Sequence, residues 1–360
     1  MEKHPHSQGG RKAHTLRLIA WEVTRQCPLQ CKHCRGAAED RAYEGELDTD
    51  ECKKVLNGLT ELGAPIVILT GGEPMARPDI YEIASYGSEL GLRMVMAPCG
   101  MLMDRESTRR ILKTGIKRIS LSIDGADAET HDGFRQVPGA FESVLNAAAL
   151  AKSEGLEFQV NTTVTRLNVE QLESIHDLAI EIGAVGFHPF LLVPTGRGKS
   201  MAHMEIEPAE YEAVLNWLYE KSLTSAIQFK PTCAPHYYRI LRQREHEAGR
   251  EVTVETHGLN ARTKGCLGGQ SFAFLSHVGK AQICGFLDTE AGDIRAVDYS
   301  FKSIWDSSEL YATMRDPKRY EGKCGVCKYL RVCGGCRARA FAATGNYMAP
   351  EPYCIYEPAS

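Results

Sequence analysis

The sequence predicts an α/β protein whose main part is an incomplete (β/α)6 barrel and whose smaller C-terminal part is rich in cysteine. Short apolar runs typical of buried strands alternate with longer amphipathic runs typical of helices. A glycine, which commonly ends a helix, follows five of the helical runs, at positions 63, 91, 115, 155 and 183. Alternating strands and helices build a parallel sheet, and an open doubly wound sheet is the alternative arrangement.

Six strands and six helices are predicted. The strands cover residues 17–23, 65–70, 93–97, 118–124, 158–164 and 185–193. The helices cover residues 49–62, 78–90, 105–114, 139–154, 168–182 and 207–222, and Thr49-Asp50 and Asn168 are candidate N-caps. Six regular units favour the barrel, whose chemistry is expected at the carboxyl ends of the strands.

The alternation fades after about residue 225, where glycine and cysteine become frequent and the helices look short. We therefore expect three segments. Residues 1–15, rich in His, Gly and Ser, form a disordered tail; residues 16–225 form the barrel; residues 226–360 form an auxiliary domain organised by its cysteines.

Composition excludes several classes of protein. The chain has 360 residues, 43% hydrophobic and 24% charged, with a net charge of −4, so no overall basic field favours nucleic acid. No apolar run approaches the roughly 18 residues of a membrane span, and the N-terminus has no signal-peptide core. We expect a cytoplasmic protein that does not bind membranes.

Cysteine is unusually abundant, with 13 residues in the chain. In a reducing compartment disulfides are disfavoured, so clustered cysteines suggest metal or cluster ligands. One group is Cys27, Cys31 and Cys34. The second group is Cys266, Cys284, Cys324, Cys327, Cys333, Cys336 and Cys354. The scattered Cys52 and Cys99 are expected to be buried and without chemistry.

The first group, in "CPLQCKHC" (27–34), is one ligand short of a structural zinc site, which needs four. His33 adjoins Cys34, so both chelating one metal is awkward. Three thiolates can instead hold a 4Fe–4S cluster with one open iron, to which a small chelating cofactor can bind.

This C-x3-C-x2-C spacing after the first strand of a β/α barrel resembles the radical S-adenosylmethionine (SAM) superfamily. "GGEP" (71–74), "SLSIDG" (120–125), "RQVPGAF" (135–141) and, more loosely, "NTTV" (161–164) resemble further family segments. The resemblance implies that Gly71, Gly72 and Glu73 hold the methionine ammonium, that Ser122 contacts the cofactor, and that Arg135 pairs with the methionine carboxylate. His33 departs from the family, which usually has an aromatic residue there.

Residues 266–354 resemble the SPASM extension of radical enzymes, although the last cysteine pair of "CGVCKYLRVCGGC" is spaced C-x2-C instead of C-x3-C. The resemblance implies that one auxiliary 4Fe–4S cluster is held by Cys324, Cys327, Cys333 and Cys354. Cys266, Cys284 and Cys336 would belong to a second cluster, whose fourth ligand is Cys233, the substrate, or absent. A closed zinc ribbon is the alternative.

Two further stretches indicate the reaction. "AWEVTRQCPLQCKHCRGAAE" (20–39) resembles radical enzymes of the sirohaem-dependent haem pathway that act on iron-coproporphyrin III, and Arg35 favours these over related tetrapyrrole enzymes. "KPTCAPHYYR" (230–239) is similar to a segment of enzymes for haem d1 and didecarboxysirohaem. The resemblance implies oxidative decarboxylation of two propionates to vinyl groups, with an unidentified electron donor and acceptor. A related tetrapyrrole step, a peptide-modifying SPASM enzyme and a non-catalytic cluster scaffold are the alternatives.

A substrate with four propionates needs cations. The candidates in the two segments near the barrel mouth are Arg197, Lys199, Lys230, His236, Arg239 and Arg242, each with the alternative of a solvated surface charge. Cys233 or His236 is also a candidate axial ligand of the porphyrin iron, with core packing as the alternative.

Overall fold

The computed structural model describes residues 14–358, without the side chain of Leu259. Most of the predicted tail, residues 1–13, therefore lies outside the described residues. A single ten-stranded sheet organises the fold. Its strands are β1 (Leu18–Thr24), β2 (Ile66–Gly71), β3 (Arg93–Met96), β4 (Arg118–Ser122), β5 (Glu157–Val164), β6 (Gly186–Leu191), β7 (Gln228–Phe229), β8 (Phe272–Leu275), β9 (Lys280–Gln282) and β10 (Glu290–Asp293).

Strands β1 to β7 pair in chain order, each parallel to the next, as the barrel prediction requires. All six predicted strands are present. The C-terminal part also adds to this sheet: β8 pairs parallel to β1, and β9 and β10 follow as antiparallel strands. The sequence did not reveal these strands because they lie beyond residue 225, where the regular alternation of strand and helix runs fades. The proposed domain boundary near residue 225 stays a prediction, and the sheet continues across it.

Thirteen α-helices occur among the described residues. They are α1 (Thr49–Thr60), α2 (Ile80–Glu89), α3 (Arg105–Lys113), α4 (Ala128–Arg135), α5 (Ala140–Glu154), α6 (Leu172–Ile182), α7 (Pro208–Thr224), α8 (His236–Glu247), α9 (Val254–His257), α10 (Phe301–Ser307), α11 (Glu309–Arg315), α12 (Gly322–Gly325) and α13 (Arg337–Thr344). The six predicted helices correspond to α1, α2, α3, α5, α6 and α7. None of these helices is both long and apolar enough to span a bilayer.

Two predicted N-caps differ from the structure. Helix α1 is capped by Asp48, whose side chain accepts from the Glu51 amide while the Glu51 side chain accepts from the Asp48 amide. The predicted N-cap, Thr49-Asp50, thus begins one residue after the observed N-cap. The Asn168 side chain makes no cap to a helix. It accepts from the Thr165 amide at 2.9 Å instead.

The strands present alternate faces to the helices and to the barrel interior. In β5, Phe158, Val160 and Val164 are buried, whereas Gln159 and Asn161 line an interior cavity. Strands β2 and β4 show the same alternation. Aliphatic side chains therefore fill the space between sheet and helices, and polar side chains face inward at the carboxyl ends of the strands.

Candidate active site

The predicted cysteine loop follows β1 and enters the barrel. Cys27 and Cys31 are buried and Cys34 is partly buried, and all three belong to one apolar cluster with Leu29 and Ala38. The Lys32 amide donates to the Phe134 carbonyl at 3.0 Å. Burial raises the pKa of Cys27 to about 12 and also raises the pKa of Cys31. A metal cluster bound here would have to displace the thiol protons.

Arg197 holds this loop from outside. Its Nε donates to the Cys31 carbonyl at 2.9 Å, and its Nη1 donates to the Ala38 carbonyl at 2.5 Å. Its own amide donates to the Cys34 carbonyl at 3.0 Å. The expectation that Arg197 is a substrate-binding cation is therefore corrected, because its guanidinium is used to position the backbone of the loop.

The GGEP segment packs directly against the chain that leads into the loop. A Cβ atom at Gly71 would lie 2.3 Å from the Thr24 carbonyl oxygen, and one at Gly72 would lie 2.3 Å from the Gln26 carbonyl oxygen. Glycine is required here because any side chain would push the two segments apart. Gly71 and Gly72 line the interior cavity, so their backbone is accessible to a ligand.

Glu73 differs from its two glycine neighbours. Its carboxylate is fully buried and accepts from the Met75 amide at 2.8 Å and from the Cys99 amide at 2.5 Å. Burial raises the pKa of this carboxyl. The side chain therefore fixes the loop after β3 and does not face the cavity. Cys99, expected to be without chemistry, nevertheless lies beside the cysteine loop and lines the cavity.

Helix α4 brings Arg135 to the cysteine loop. Nη1 donates to Cys31 Sγ at 3.5 Å, and Nη2 lies 2.5 Å from the buried Asp124 Oδ2. The Arg135 Nε is buried without a hydrogen-bond partner in the described residues. His33 packs on Phe134 with ring centroids 4.4 Å apart, and burial, then Arg135 and Arg197, hold its pKa well below the usual range. Arg135 thus presents unsatisfied donor capacity beside the cysteines, as a carboxylate ligand requires.

These residues surround one large cavity of about 2240 Å³. Cys27, Cys31 and Cys34 lie on its wall together with Gly71, Gly72, Ser122 and Arg135. The structure thus brings together seven of the eight residues that the sequence predicts for the cluster and cofactor. Their donor set fits an iron–sulfur cluster and an amino-acid-type ligand: three thiolates, accessible glycine backbone and a guanidinium with a free donor. The individual roles stay predictions.

The C-terminal cysteines separate into two sets. Cys324, Cys327, Cys333 and Cys354 line a small pocket together with His236 and Arg239 of α8. Cys266, Cys284 and Cys336 line the large cavity, as does Cys233. Within residues 14–358, no three His, Cys, Asp or Glu side chains converge closely enough to hold a single metal ion. The assignment of these cysteines to clusters stays a prediction.

Only some of the predicted cations face the large cavity. Lys230 and Arg242 line it, whereas Lys199 is exposed to solvent. Arg239 is buried and pairs with Glu212 at 2.5 Å.

Of the two alternatives for His236, an axial ligand or a packed core residue, the structure favours packing, because His236 does not line the large cavity. Its ring is fully buried in contact with the Glu351 carboxyl group and borders the small pocket. Burial alone would raise the Glu351 pKa, but His236 and Arg339 together lower it to about 2.

Proteins of similar sequence show the family to which this chain belongs. A family model described as the Radical SAM superfamily matches residues 21–179. The chain is 51% identical over 342 residues to the AdoMet-dependent heme synthase of Methanosarcina barkeri, covering 95% of this chain and 97% of that protein. It is 48% identical over 362 residues to the enzyme of the same name from Nitratidesulfovibrio vulgaris, covering 99% and 98%. The chain belongs to the radical SAM superfamily.

A solved structure gives the same fold. Streptococcus suis SuiB bound to S-adenosylmethionine superposes with a TM-score of 0.74 at 16% identity, covering 95% of this chain and 78% of SuiB. As a radical SAM enzyme, the chain uses a 4Fe–4S cluster and S-adenosylmethionine. The open position that the cysteine spacing implies agrees with this pair of cofactors.

Proposed function

We propose that this radical SAM enzyme converts two propionate groups of iron-coproporphyrin III into vinyl groups, giving haem b. The main support for this proposal is the positive charge of the cavity beside the cysteine loop. Among the described residues, fourteen arginines and lysines but three aspartates and glutamates line it. The whole chain has a net charge of −4, so the positive charge is concentrated where a polyanionic substrate would lie.

The volume of the large cavity supports the same class of substrate. Pockets for small ligands commonly measure about 300–1,000 Å³, and this cavity is more than twice that upper value. It therefore has room for both S-adenosylmethionine and a tetrapyrrole. Lys230 and Arg242 form no ion pair with any carboxylate of residues 14–358, which leaves both cations for substrate propionates.

The residues around the loop have distinct tasks in this proposal. Cys27, Cys31 and Cys34 hold the cluster, while the backbone of Gly71 and Gly72, with Ser122 and Arg135, binds S-adenosylmethionine. When bound, the two cofactors supply a 5′-deoxyadenosyl radical that removes a hydrogen atom. Each propionate then loses carbon dioxide and one electron to become a vinyl group. Arg135 orients the cofactor by its charge, and the cavity cations hold the unreacting carboxylates.

The electron released in each decarboxylation needs an acceptor. An auxiliary 4Fe–4S cluster held by the C-terminal cysteines would be suited to this task. The unidentified physiological donor would reduce the first cluster, and the unidentified acceptor would take the electron from the auxiliary cluster. We place the auxiliary cluster domain in residues 226–360. A cytoplasmic location is part of the proposal, because it keeps 13 unpaired cysteines reduced.

The test is anaerobic incubation with S-adenosylmethionine, a reductant and iron-coproporphyrin III, followed by mass analysis of the porphyrin. We expect each converted propionate to lose one carbon dioxide and two hydrogen atoms, and Cys31→Ala to give no product. Turnover of didecarboxysirohaem or a haem d1 precursor instead would assign a neighbouring tetrapyrrole step. Turnover of a peptide but no porphyrin would assign a peptide-modifying enzyme.

A further inference from the structure

Arg35 directly follows the cysteine loop and lines the large cavity, but the protein uses only part of its guanidinium. Nη1 donates to Glu22 Oε1 at 3.4 Å, whereas Nη2 is buried without a hydrogen-bond partner among the described residues. We infer that Arg35 binds the carboxylate of each reacting propionate in turn, and so selects the side chain of the tetrapyrrole that reaches the radical site. The inference rests on the proposed function, because it names a substrate contact of the same site.

The unused donors of Arg35 lie along one edge of the guanidinium. Nε and Nη2 point the same way in an arginine side chain, so together they can donate two parallel hydrogen bonds to one carboxylate. In the described part of the chain the guanidinium makes one hydrogen bond, through Nη1, and this leaves that edge unused. The side chain is 18% exposed and the residue borders the cavity, so a carboxylate in the cavity has a two-point binding edge available.

A glycine leaves open the space beside this edge. A Cβ atom at Gly285 would lie 3.0 Å from Arg35 Nε and 3.0 Å from the Phe274 ring. The φ angle of Gly285 is outside the left-handed region, so its backbone conformation does not require glycine. The missing side chain instead keeps clear a position next to Nε, at about the distance of a hydrogen-bonded oxygen.

Arg35 is held in place at both its side chain and its backbone. The guanidinium stacks on Phe274 of β8, with Cζ 4.4 Å from the ring centroid. The Arg35 carbonyl packs against Gly196, where a Cβ atom would lie only 2.2 Å from the carbonyl oxygen. A guanidinium that is already fixed loses little conformational freedom when a carboxylate binds, which favours a positioning role.

The contact with Glu22 assigns Arg35 to the reacting propionates. When a propionate becomes a vinyl group, the cation that held it loses its partner. Arginine stays charged, so a largely buried guanidinium with no counterion would be unfavourable in the product complex. Glu22 remains beside Arg35 for this state. Glu22 also contacts Arg25 and His277, so it is not left unpaired while Arg35 holds a propionate.

The position of Arg35 favours the same assignment. The hydrogen atom to be removed is on the second carbon from the carboxylate, so the reacting group must lie close to the cysteine loop. Arg35 is the residue after Cys34 and meets this condition. Lys230 and Arg242 line the cavity without a carboxylate partner among residues 14–358, and they suit propionates that remain in the product.

The test is an absorbance titration of the anaerobic full-length holoenzyme, with S-adenosylmethionine bound, against two porphyrins. Iron-coproporphyrin III has four propionates, whereas haem b keeps only the two that do not react. Arg35→Gln removes the guanidinium, and Gly285→Ala keeps it but fills the space beside Nε. Arg25→Gln is the matched control, because Arg25 also contacts Glu22 but does not line the cavity. Iron content and melting temperature are measured for each variant.

We expect Arg35→Gln to weaken iron-coproporphyrin III binding by roughly tenfold to a hundredfold, and Gly285→Ala to weaken it in the same direction. Affinities for haem b and for S-adenosylmethionine should stay at wild-type values in both variants. Arg25→Gln should bind both porphyrins as wild type does, even where its melting temperature falls. If Arg35→Gln loses its fold or its iron, Gly285→Ala decides alone.

Unchanged affinity for iron-coproporphyrin III in either variant, with fold and iron content intact, would overturn the inference. An equal loss for both porphyrins would overturn the assignment to the reacting propionates, and a loss of S-adenosylmethionine affinity would move Arg35 to the cofactor site. Wild-type protein that binds no iron-coproporphyrin III would contradict the proposed function itself. Binding and turnover by wild type, with unchanged affinity in the variants, would contradict only the role of Arg35.

Discussion

Arg135 Nη1 donates a hydrogen bond to the Sγ atom of Cys31 at 3.5 Å, although 104 residues separate them in sequence. The same guanidinium neutralises Asp124, which is fully buried just after β4. One cation therefore joins the cysteine loop, helix α4 and the fourth strand. Its Nε has no hydrogen-bond partner among the described residues, so it can bind a carboxylate without breaking either contact.

Arg135→Ala should weaken S-adenosylmethionine binding by about tenfold to a hundredfold, since a charge-assisted hydrogen bond contributes roughly 1.5–3 kcal/mol. Calorimetric titration measures this. The single variant also leaves Asp124 buried and unpaired, which lowers stability. Arg135→Ala combined with Asp124→Asn should recover thermal stability but not affinity. Wild-type affinity in this double variant would show that Arg135 only neutralises Asp124.

Arg197→Ala should weaken the first cluster without touching a cysteine. Two loop carbonyls lose their donor, so the loop opens more often and iron is released faster. The rate of iron loss to a chelator, followed by absorbance, should rise severalfold. Lys199→Ala is the matched control in the same segment, because Lys199 is exposed and should leave the rate unchanged. Equal rates in the two variants would contradict the positioning role.

Glu22 links the cysteine loop to the C-terminal strands. Its buried carboxylate contacts Arg35 Nη1 at 3.4 Å and His277 Nδ1 at 2.8 Å. Burial opposes its ionisation, but Arg35, His277 and Arg25 lower its pKa to about 2. Because the folded pKa is depressed below the ordinary value near 4.5, this stabilisation is present above pH 4.5. It is lost as the pH falls toward 2.

Glu22→Gln should therefore lower the free energy of unfolding at pH 7 by an amount on the order of 3 kcal/mol. Chemical denaturation of the apoprotein at pH 7 and pH 4 measures the effect. As the pH falls from 7 to 4, and further below 4, the free energy of unfolding should decrease less in the variant than in wild type. Glu39→Gln is the control, since Glu39 forms an exposed pair with Arg41 and should change little. Equal stability of Glu22→Gln and wild type at pH 7 would rule out this contribution.

Lys230→Ala should lower affinity for iron-coproporphyrin III by roughly tenfold, because one carboxylate loses a charged partner. Burial lowers the Lys230 pKa, so this side chain loses its charge at a lower pH than an ordinary lysine does. Substrate binding should therefore begin to weaken at a correspondingly lower pH as the pH rises. Porphyrin absorbance titrations at several pH values measure both effects. Lys117→Ala, an exposed lysine, is the control. An unchanged affinity in Lys230→Ala would place the substrate elsewhere in the cavity.

The comparison of sequence with structure shows which features are local. Strand and helix positions in the barrel followed from apolar periodicity, and the cysteine loop followed from ligand spacing. Helix α4 was missed because "AETHDGFR" has no regular apolar face, although Asp127 caps it at the Thr130 amide. Strand β8 was missed because its four residues gain stability only from pairing with β1.

The direction in which side chains point could not be predicted from the sequence either. Arg197 and Lys230 look alike in sequence, since both are cations in segments near the barrel mouth. Only the fold shows that one holds loop carbonyls and the other faces the cavity. The placement of Cys99 beside Cys27 depends on two loops that meet at the end of the sheet. No spacing rule connects residues that are brought together in this way.

The small pocket is lined by four cysteines: Cys324, Cys327, Cys333 and Cys354. Substituting one of them should separate two steps of the proposed reaction. Hydrogen abstraction needs only the first cluster and S-adenosylmethionine, on the cysteine loop. Completion also needs an acceptor for the electron that remains after carbon dioxide leaves. Cys327→Ala should therefore still form 5′-deoxyadenosine but give little or no vinyl product. Cys52→Ala, a buried cysteine away from both sets, should keep both activities.

Both products are measured in the same anaerobic reaction, and circular dichroism checks that Cys327→Ala is folded. The ratio of 5′-deoxyadenosine to vinyl groups is the decisive quantity, because a general loss of activity would lower both together. A ratio far above that of wild type means that electron transfer is blocked after hydrogen abstraction. If the folded variant lacks the iron of this set and still forms haem at the wild-type rate, the electron leaves by another route. The cluster near Cys327 would then serve only to stabilise the C-terminal part of the chain.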